Sequence, residues 1–432
     1  MTPPATKLPT PERLLNIEKP IYGGAFLARD EGKAVFVPLT LPGEQVHVRI
    51  VEDKRSHAVA EAEEIVAQSA DRVAPACRHF GTCGGCSYQH ATHEAQMRFK
   101  QAILRETLAR AGVAAPDRIE ALSGEPWGYR NRIRLAFDAQ GNPGYRGRRS
   151  HAVVPIAQCP IAAPLLVRAA LALGGLMHEL KPAARPVEVS LFCDKDETAL
   201  LAGFSTSGTA RFPLEQVSSA LAAQIPELAG AEWSAESRGG RPGRIVGHWG
   251  AESLTYNAAG FGYRVDHGAF FQVNRWLVDE LVDRVTAGHS GSLAWDLFAG
   301  VGLFARRLAE SFSHVAAIES APASTSALAH NLAGTSASAV KSTTLDFLRR
   351  APQGQRPGLI VLDPPRTGLD PESAKLLAKI AAPAVVYVSC DPATLARDLR
   401  ALIGSGYAIE SLTLADLFPQ TFHLESIVRL RR

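Results

Sequence analysis

The sequence predicts an α/β protein, with a parallel, doubly wound sheet toward the C-terminus, a small barrel near the N-terminus and an α/β region between them. Three observations carry this. From about Asn274 onward, strand-like runs (LAWDLFAG, HVAAIES, GLIVLDPP, AVVYVSC and a final ESIVRLR) alternate with helical segments, the signature of a parallel sheet with an antiparallel end. Between about Ile17 and Val66 the pattern changes to short alternating β segments with Pro-Gly punctuation, which suits a small antiparallel barrel. At 432 residues the chain exceeds one ordinary core and calls for two or three domains. The expected division is a disordered Pro/Thr-rich tail over 1–10, the barrel over 11–70, a central region over 71–270 and the sheet domain over 271–432.

Hydrophobic content of 46% and charged content of 21% are those of a globular protein. A net charge of +3 does not by itself argue for nucleic acid, so local clustering has to carry that case. The N-terminus has no basic segment followed by an apolar run. The longest apolar stretch, around LLVRAALALGGLMHEL, contains Arg168 and falls short of a membrane span. A cytoplasmic protein with no membrane partner is expected, and in that reducing compartment clustered cysteines read as metal or catalytic groups.

Along the barrel, Lys19, Arg29, Lys33, Arg49, Lys54 and Arg55 are spread without clustering. They suit a solvated surface as well as an RNA-facing one. Next come Cys77, Cys83 and Cys86, spaced C-x5-C-x2-C with glycines between them, and Cys159 before Pro160. Four thiolates hold either zinc or an iron–sulfur cluster; three close cysteines and a remote one before proline lean toward the cluster. After a helical stretch from about His93 to Ala111, YRNRIRLAFDAQGNPGYRGRR reads as a hairpin turning at Gly141-Asn142-Pro143-Gly144. Arg130, Arg132 and Arg134 alternate along its first strand and share one face. Like charges on one face repel unless an anion compensates them, and phosphate is the natural candidate. Residues 160–260 offer no motif, and Cys193 reads as a buried strand residue.

In LAWDLFAGVGLFARRLA, Gly300 and Gly302 permit a tight turn and close approach to a ligand, and Glu319 ends the following strand where it can accept ribose hydroxyls. The same pattern fits a dinucleotide fingerprint, so a NAD dehydrogenase stays open. Asp296, at the strand end, disfavours a pyrophosphate and suits the methionine part of S-adenosylmethionine. The rigid LDPPR stretch, Asp363 to Arg366, makes a shaped wall where open α/β sheets bind ligands. In YVSCDPATLARDL, Cys390 lies between a β-branched run and a helix start at Pro392, in place to gain from a helix N-terminus that lowers a thiol's pKa.

Taken together, these motifs resemble those of RNA uracil-5-methyltransferases of the RumA/TrmA type, over nearly the whole chain. YGGAF and FVPLTLPGE are similar to the TRAM RNA-binding barrel of the large-subunit rRNA branch. The resemblance implies a Rossmann-like S-adenosylmethionine-dependent methyltransferase domain and a [4Fe–4S] cluster on Cys77, Cys83, Cys86 and Cys159. It also implies cofactor contacts from Gln272 of FFQVN, Phe298 and the loop glycines, Glu319, Asp346 of LDF beside the adenine, and Asp363. Cys390 of SCDP is implied as the nucleophile and Glu425 of FPQTFHLE as the general base. The barrel and cysteines favour 23S rRNA as partner, with tRNA the alternative and an exocyclic-amine methyltransferase a more distant one. A monomer is expected. Leu303 stands where many members have Asn, and Asp391 replaces the commoner Asn after the nucleophile, a charge expected to raise the thiol's pKa.

Overall fold

A computed structural model of the chain describes residues 13–182, 185–207, 211–235, 244–351 and 355–432; the tail expected over 1–10 lies outside them. The chain forms two compact units, one running to Leu104 and including Gln420–His423, the other comprising Arg105–Pro419 and Leu424–Arg432. No helix among the described residues is long and apolar enough to cross a membrane.

The first unit holds a five-stranded barrel, with one departure from the antiparallel pattern expected: Lys33–Pro38 and His57–Ala67 pair in parallel. Strands Arg13–Pro20, Ala25–Asp30, Lys33–Pro38, His57–Ala67 and Gln45–Asp53 close in that order. Alternate residues, Ile17, Phe26, Ala28, Val35, Val37, Val46 and Val48 among them, fill its interior as period-2 patterning requires. The second hairpin turns through Glu31 and Gly32, both at positive φ, between paired Asp30 and Lys33, the geometry whose twist matches two strands joined by two residues. Most of the barrel's cations are matched by acids: Arg49 binds Glu61 and Glu63, Lys33 binds Asp53, and Arg29 lies beside Glu18. These charges form a solvated, self-neutralised surface more than a bare basic patch.

The second unit contains two large sheets. One has seven strands, ordered Arg244–Gly250, Leu228–Ala235, Leu200–Thr206, Pro186–Cys193, Arg132–Phe137, Pro143–Arg146 and Val153–Pro155. Its alternation is strict. Ile133, Leu135, Val189, Leu191, Cys193, Ala202 and Phe204 share a core with helices Pro164–Leu180 and Leu214–Gln224, while Arg132, Arg134, Ser190 and Ser205 line the opposite face. Cys193 is buried there, as expected. The hairpin differs in its turn: Pro143 and Gly144 already pair with Phe137 and Ala136, and the loop is built on Asp138, whose carboxylate accepts the Gln140 and Asn142 amides. Gly144 has a packing reason: a Cβ there would meet the Val154 carbonyl at 2.2 Å.

The other sheet has eight strands, ordered Ala337–Lys341, Phe312–Glu319, Gly291–Leu297, Leu359–Leu362, Ala384–Ser389, Glu425–Arg431, Ala408–Ala415 and Glu120–Leu122. The first five are parallel, and Glu425–Arg431 runs antiparallel to both its neighbours. The order reverses between Gly291–Leu297 and Leu359–Leu362, the switch point outside which open α/β sheets place ligands. Strand Glu120–Leu122 and the hairpin Ser253–Ala258/Phe261–Asp266 come from the central stretch of sequence, yet the first closes the edge of this sheet and the second shares its core.

Candidate active site

The candidate site lies along the carboxyl edge of the eight-stranded sheet, at the switch point. Strand Gly291–Leu297 ends at Phe298, held at φ 68°, and the chain turns through Gly300 (φ 56°) and Gly302 (φ 91°) into helix Leu303–Leu308. Phe298 adopts a left-handed conformation that costs a non-glycine residue about 1–2 kcal/mol, a strain typical of ligand loops. A Cβ on Gly300 would meet nothing within 4 Å, so the loop is open on that side.

Gln272, Phe298, Gly300 and Asp363 line one cavity of about 30 Å³ together with Phe270 and Phe271. Gln272 Nε2 donates to Asp363 Oδ2 at 3.3 Å, and the Gln272 carbonyl is fixed by Asn131 Nδ2 at 2.9 Å. Glu319 sits at the end of its strand and accepts from the loop: Oε2 from Gly300 N, Oε1 from Ser320 N and Ala321 N. Asp296 is wholly buried behind the loop. Its Oδ2 accepts Ala305 N at 2.9 Å, while Oδ1 has no hydrogen-bond partner. Burial pushes Asp296 up to about 8, with Asp363 and Glu319 adding to the rise. Asp346 stands apart from the cavity's lining. It lies at the start of helix Thr344–Arg350, where the Thr343 hydroxyl caps the helix by accepting Asp346 N and donating to Asp346 Oδ2. Leu303 is buried, and its carbonyl accepts the Tyr263 hydroxyl at 3.2 Å.

Cys390 and Glu425 come together through strand register. Ser389 pairs with Ser426 at the end of the antiparallel ladder; Cys390 is the next residue on one side and Glu425 on the other, and Glu425 acts electrostatically on the thiol. On the other flank Leu362 pairs with Tyr387, which sets Asp363 at the same edge. Burial pushes the Cys390 thiol up to about 12, reinforced by Glu425 and Asp363 and opposed by Arg366. Glu425 is raised well above the usual carboxylate range by burial and then by Asp363, again with Arg366 opposing. Burial also raises Asp363 to about 7.

The expected lowering of the thiol's pKa by a helix N-terminus is therefore corrected. Cys390 precedes the cap, and Asp391 is the cap itself, accepting Ala393 N at 3.0 Å and Thr394 N at 2.9 Å. Those amides are directed at Asp391, whereas the thiol faces buried acids. Asp391 is thus a helix cap, and the rise expected of its charge comes chiefly from burial, Glu425 and Asp363.

The three arginines separate. Arg134 is exposed and bridged to Glu188 at 3.1 Å. Arg132 is deeply placed: its guanidinium lies 4.2 Å over the Phe192 ring, Nη1 donates to Ala269 O at 2.7 Å, and Nε has no partner. Burial and Arg134 lower it to about 10. Arg130 Nε is likewise buried and unpartnered. All three line a groove of about 520 Å³ on the exposed face of the seven-stranded sheet.

Cys77, Cys83 and Cys86 occupy a turn-rich loop of the first unit, half-buried and outside any disulfide; Cys159, in the second unit, has its sulfur 3.6 Å from the Tyr145 hydroxyl. Gly85 N–H donates to Cys83 Sγ at 3.4 Å. Among the described residues no three His, Cys, Asp or Glu side chains gather as a metal-ligand set.

Sequence reasoning missed Asn131 and Phe270, and it named Arg366 only as the end of the LDPPR wall. Asn131 shares the strand face of Ile133 and Leu135, and a polar residue on an apolar face was the available signal. Phe270, 58% exposed beside the cavity, gave none.

Residues 354–432 match the family model "tRNA (Uracil-5-)-methyltransferase", and residues 12–63 match "TRAM domain". The chain is 33% identical over 451 residues to a 23S rRNA (uracil(1939)-C(5))-methyltransferase RlmD of Halomonas elongata, covering 97% of this chain and 89% of the relative. It is 33% identical over 432 residues to an uncharacterized RNA methyltransferase of Streptomyces avermitilis, covering 95% of each. Its fold is like that of the Pyrococcus abyssi tRNA (uracil-54, C5)-methyltransferase solved with S-adenosyl-L-homocysteine: TM-score 0.79, 24% identity, 97% of this chain and all of that one.

Proposed function

The chain belongs to the family of RNA uracil-5-methyltransferases with a TRAM domain, and from that premise we propose that it methylates carbon 5 of a uridine in 23S rRNA, using S-adenosylmethionine. The observation that carries this reading is the approach of Cys390 and Glu425 at the carboxyl edge of the sheet, next in line after the paired Ser389 and Ser426. Carbon 5 of uracil is a poor nucleophile. Thiolate addition at carbon 6 moves electron density to carbon 5, and S-adenosylmethionine supplies the electrophilic methyl group. Glu425, ionised, then removes the carbon-5 proton, the carbon 6–sulfur bond breaks, and the thiolate of Cys390 is regenerated. Because the thiol is pushed up in the substrate-free site, its ionisation belongs to the bound state, with Arg366 the cation that favours it.

The residues fit the cofactor. Asp296 Oδ1 is a buried carboxylate oxygen awaiting a donor, and Gln272, Phe298, Gly300 and Asp363 surround an open loop. Within the same reading, Glu319 holds the ribose hydroxyls, Asp346 lies toward the adenine, Gly302 shapes the turn, and the groove arginines take phosphates. The target base has to leave its stack to reach Cys390, at a cost of a few kcal/mol that backbone contacts offset. The division into TRAM barrel, central region and catalytic domain is part of this proposal.

The proposed [4Fe–4S] cluster rests on the chemistry of its donors: four cysteines outside any disulfide and an amide directed at one sulfur. Among the described residues no metal-ligand set gathers, and the roles of Cys390 and Glu425 do not depend on the cluster. Anaerobically purified protein is expected to hold about four irons and to absorb broadly in the visible. Stoichiometric zinc without iron would overturn that assignment.

The function is tested by mapping 5-methyluridine in 23S rRNA and tRNA from cells lacking the gene. Loss of one 23S site supports the reading. Loss confined to tRNA would move the substrate to the class named in the matched family model.

A further inference from the structure

The loop that leaves the Asp363–Arg366 wall is bound to the helix that follows Cys390. Positions 394, 397 and 398 of helix Pro392–Gly404 are spaced i, i+3 and i+4, so Thr394, Arg397 and Asp398 share one face. All three hold that loop. Thr394 Oγ1 donates to Arg366 O at 3.1 Å. Arg397 Nη2 donates to the carbonyls of Thr367 at 3.0 Å and Leu369 at 2.7 Å. Asp398 is buried; its Oδ2 accepts Leu369 N at 2.8 Å and the Tyr387 hydroxyl at 2.7 Å, and its Oδ1 accepts Arg397 Nε at 2.8 Å. Gly368 sits between them at φ 68°, and a Cβ there would meet Arg397 Nη2 and Asp398 Oδ2 at 2.6 Å each. Only a glycine lets the loop lie this close.

A carboxylate so deeply placed is costly unless hydrogen bonds surround it. The donors to Asp398 come from three segments around the nucleophile. Tyr387 lies on strand Ala384–Ser389 just before Cys390, Arg397 on the helix just after it, and Leu369 in the loop that leaves Arg366. The charged groups acting on the thiol are Glu425, Asp363 and Arg366, and of these Arg366 is the cation. Its pull falls with distance, so the placement of the loop sets its strength. We propose that Asp398 is a positioning residue for Arg366: with Arg397 it clamps the loop onto the helix and so holds the Arg366 charge where it acts on Cys390. This rests on Cys390 being the nucleophile.

The test is a double-mutant cycle, read by single-turnover formation of the denaturation-resistant protein–RNA adduct. The reaction contains S-adenosylmethionine and an rRNA fragment carrying the target uridine, and is followed across pH. Asp398→Asn sets an NH2 against at least one of the three donors, whichever way the amide turns. It is expected to slow adduct formation about tenfold and to move its pH dependence upward, as for a thiol pKa raised by about one. With Arg366→Gln as the background, already about 10- to 100-fold slower, the same change is expected to cost less than about twofold. Equal slowing in the two backgrounds would reduce Asp398 to a structural residue and overturn the proposal. If Asp398→Asn fails to fold, Arg397→Met decides by the same cycle, because its side chain is 53% exposed. It is expected to slow the wild-type reaction about three- to tenfold and the Arg366→Gln reaction hardly at all. Equal slowing there sinks the idea as well. Cys390→Ala, run in parallel, separates the two levels: an adduct that persists removes the nucleophile and the proposal with it. An adduct lost in Cys390→Ala while the cycles are additive removes only the positioning role.

Discussion

The carboxyl edge of the eight-stranded sheet and the open face of the seven-stranded sheet are opposites in charge. At the edge, Asp296, Asp363 and Glu425 are buried, and all three are pushed upward by burial, with Arg366 the cation that opposes the rise at Glu425. On the face, Arg130 and Arg132 carry buried guanidinium nitrogens without acceptors, and Arg132 is pushed downward. Elsewhere the protein neutralises itself, as in the barrel's Arg49 with Glu61 and Glu63 or the buried Glu44 with Arg72. A charge left unmatched where pairing was available marks where an opposite charge arrives from outside. The acid edge suits a cationic cofactor, and the guanidinium face suits phosphate.

The comparison breaks most sharply at the acid edge. Cys390→Ala is expected to abolish adduct and methylation, by at least about 10⁴-fold. Glu425→Gln should still form the adduct and transfer the methyl group, then stall at proton removal by about 10²- to 10⁴-fold. Because the proposed base has to act ionised and burial raises the pKa of Glu425, wild-type adduct decay should fall off on the acid side well above the usual carboxylate range. A pH profile flat down to pH 4.5 would remove Glu425 from the role.

On the guanidinium face the expected effects are smaller and unequal. Arg132→Gln should weaken RNA binding roughly 10- to 100-fold and reduce the salt slope by about 1. Arg134→Gln should do much less, because Glu188 already screens that charge. S-adenosylmethionine affinity should be untouched by either. Equal losses would mean that burial does not distinguish these arginines and that the face acts as a diffuse field.

This inequality also marks the limit of what the sequence discloses. Alternation placed Arg130, Arg132 and Arg134 on one face, and the alternating strands and glycine loop placed the ligand edge, because both follow from local periodicity and turn chemistry. Glu188, which neutralises Arg134, lies 54 positions away, on a neighbouring strand whose pairing no local pattern announces. Cys390 went the same way. Pro392 promised a helix N-terminus, but Glu425 and Asp363 are long-range partners, and they reverse the direction of the shift. Hairpin strands announced a turn, yet its residues were misjudged because Pro143 serves at the start of an edge strand as readily as in a loop.

The last expected effect concerns Asp296, and its sign follows from linkage. Its folded pKa is raised from 3.8 to about 8, so below pH 3.8 the carboxyl is protonated in both states and its contribution to stability is fully present. As pH rises toward 8 the unfolded chain ionises while the folded one holds its proton, and stability is lost at no more than about 1.4 kcal/mol per pH unit for such a group. Asp296→Asn removes this titration and keeps an oxygen for Ala305 N. The variant is therefore expected to gain on wild type in urea unfolding between pH 5 and pH 8, while S-adenosylmethionine binding weakens because the carboxylate that would meet its cation is gone. A stability difference that does not change with pH would show that Asp296 is ionised in the fold. The buried acid would then have a partner already, and the contrast between the two sheets would rest on the arginine face alone.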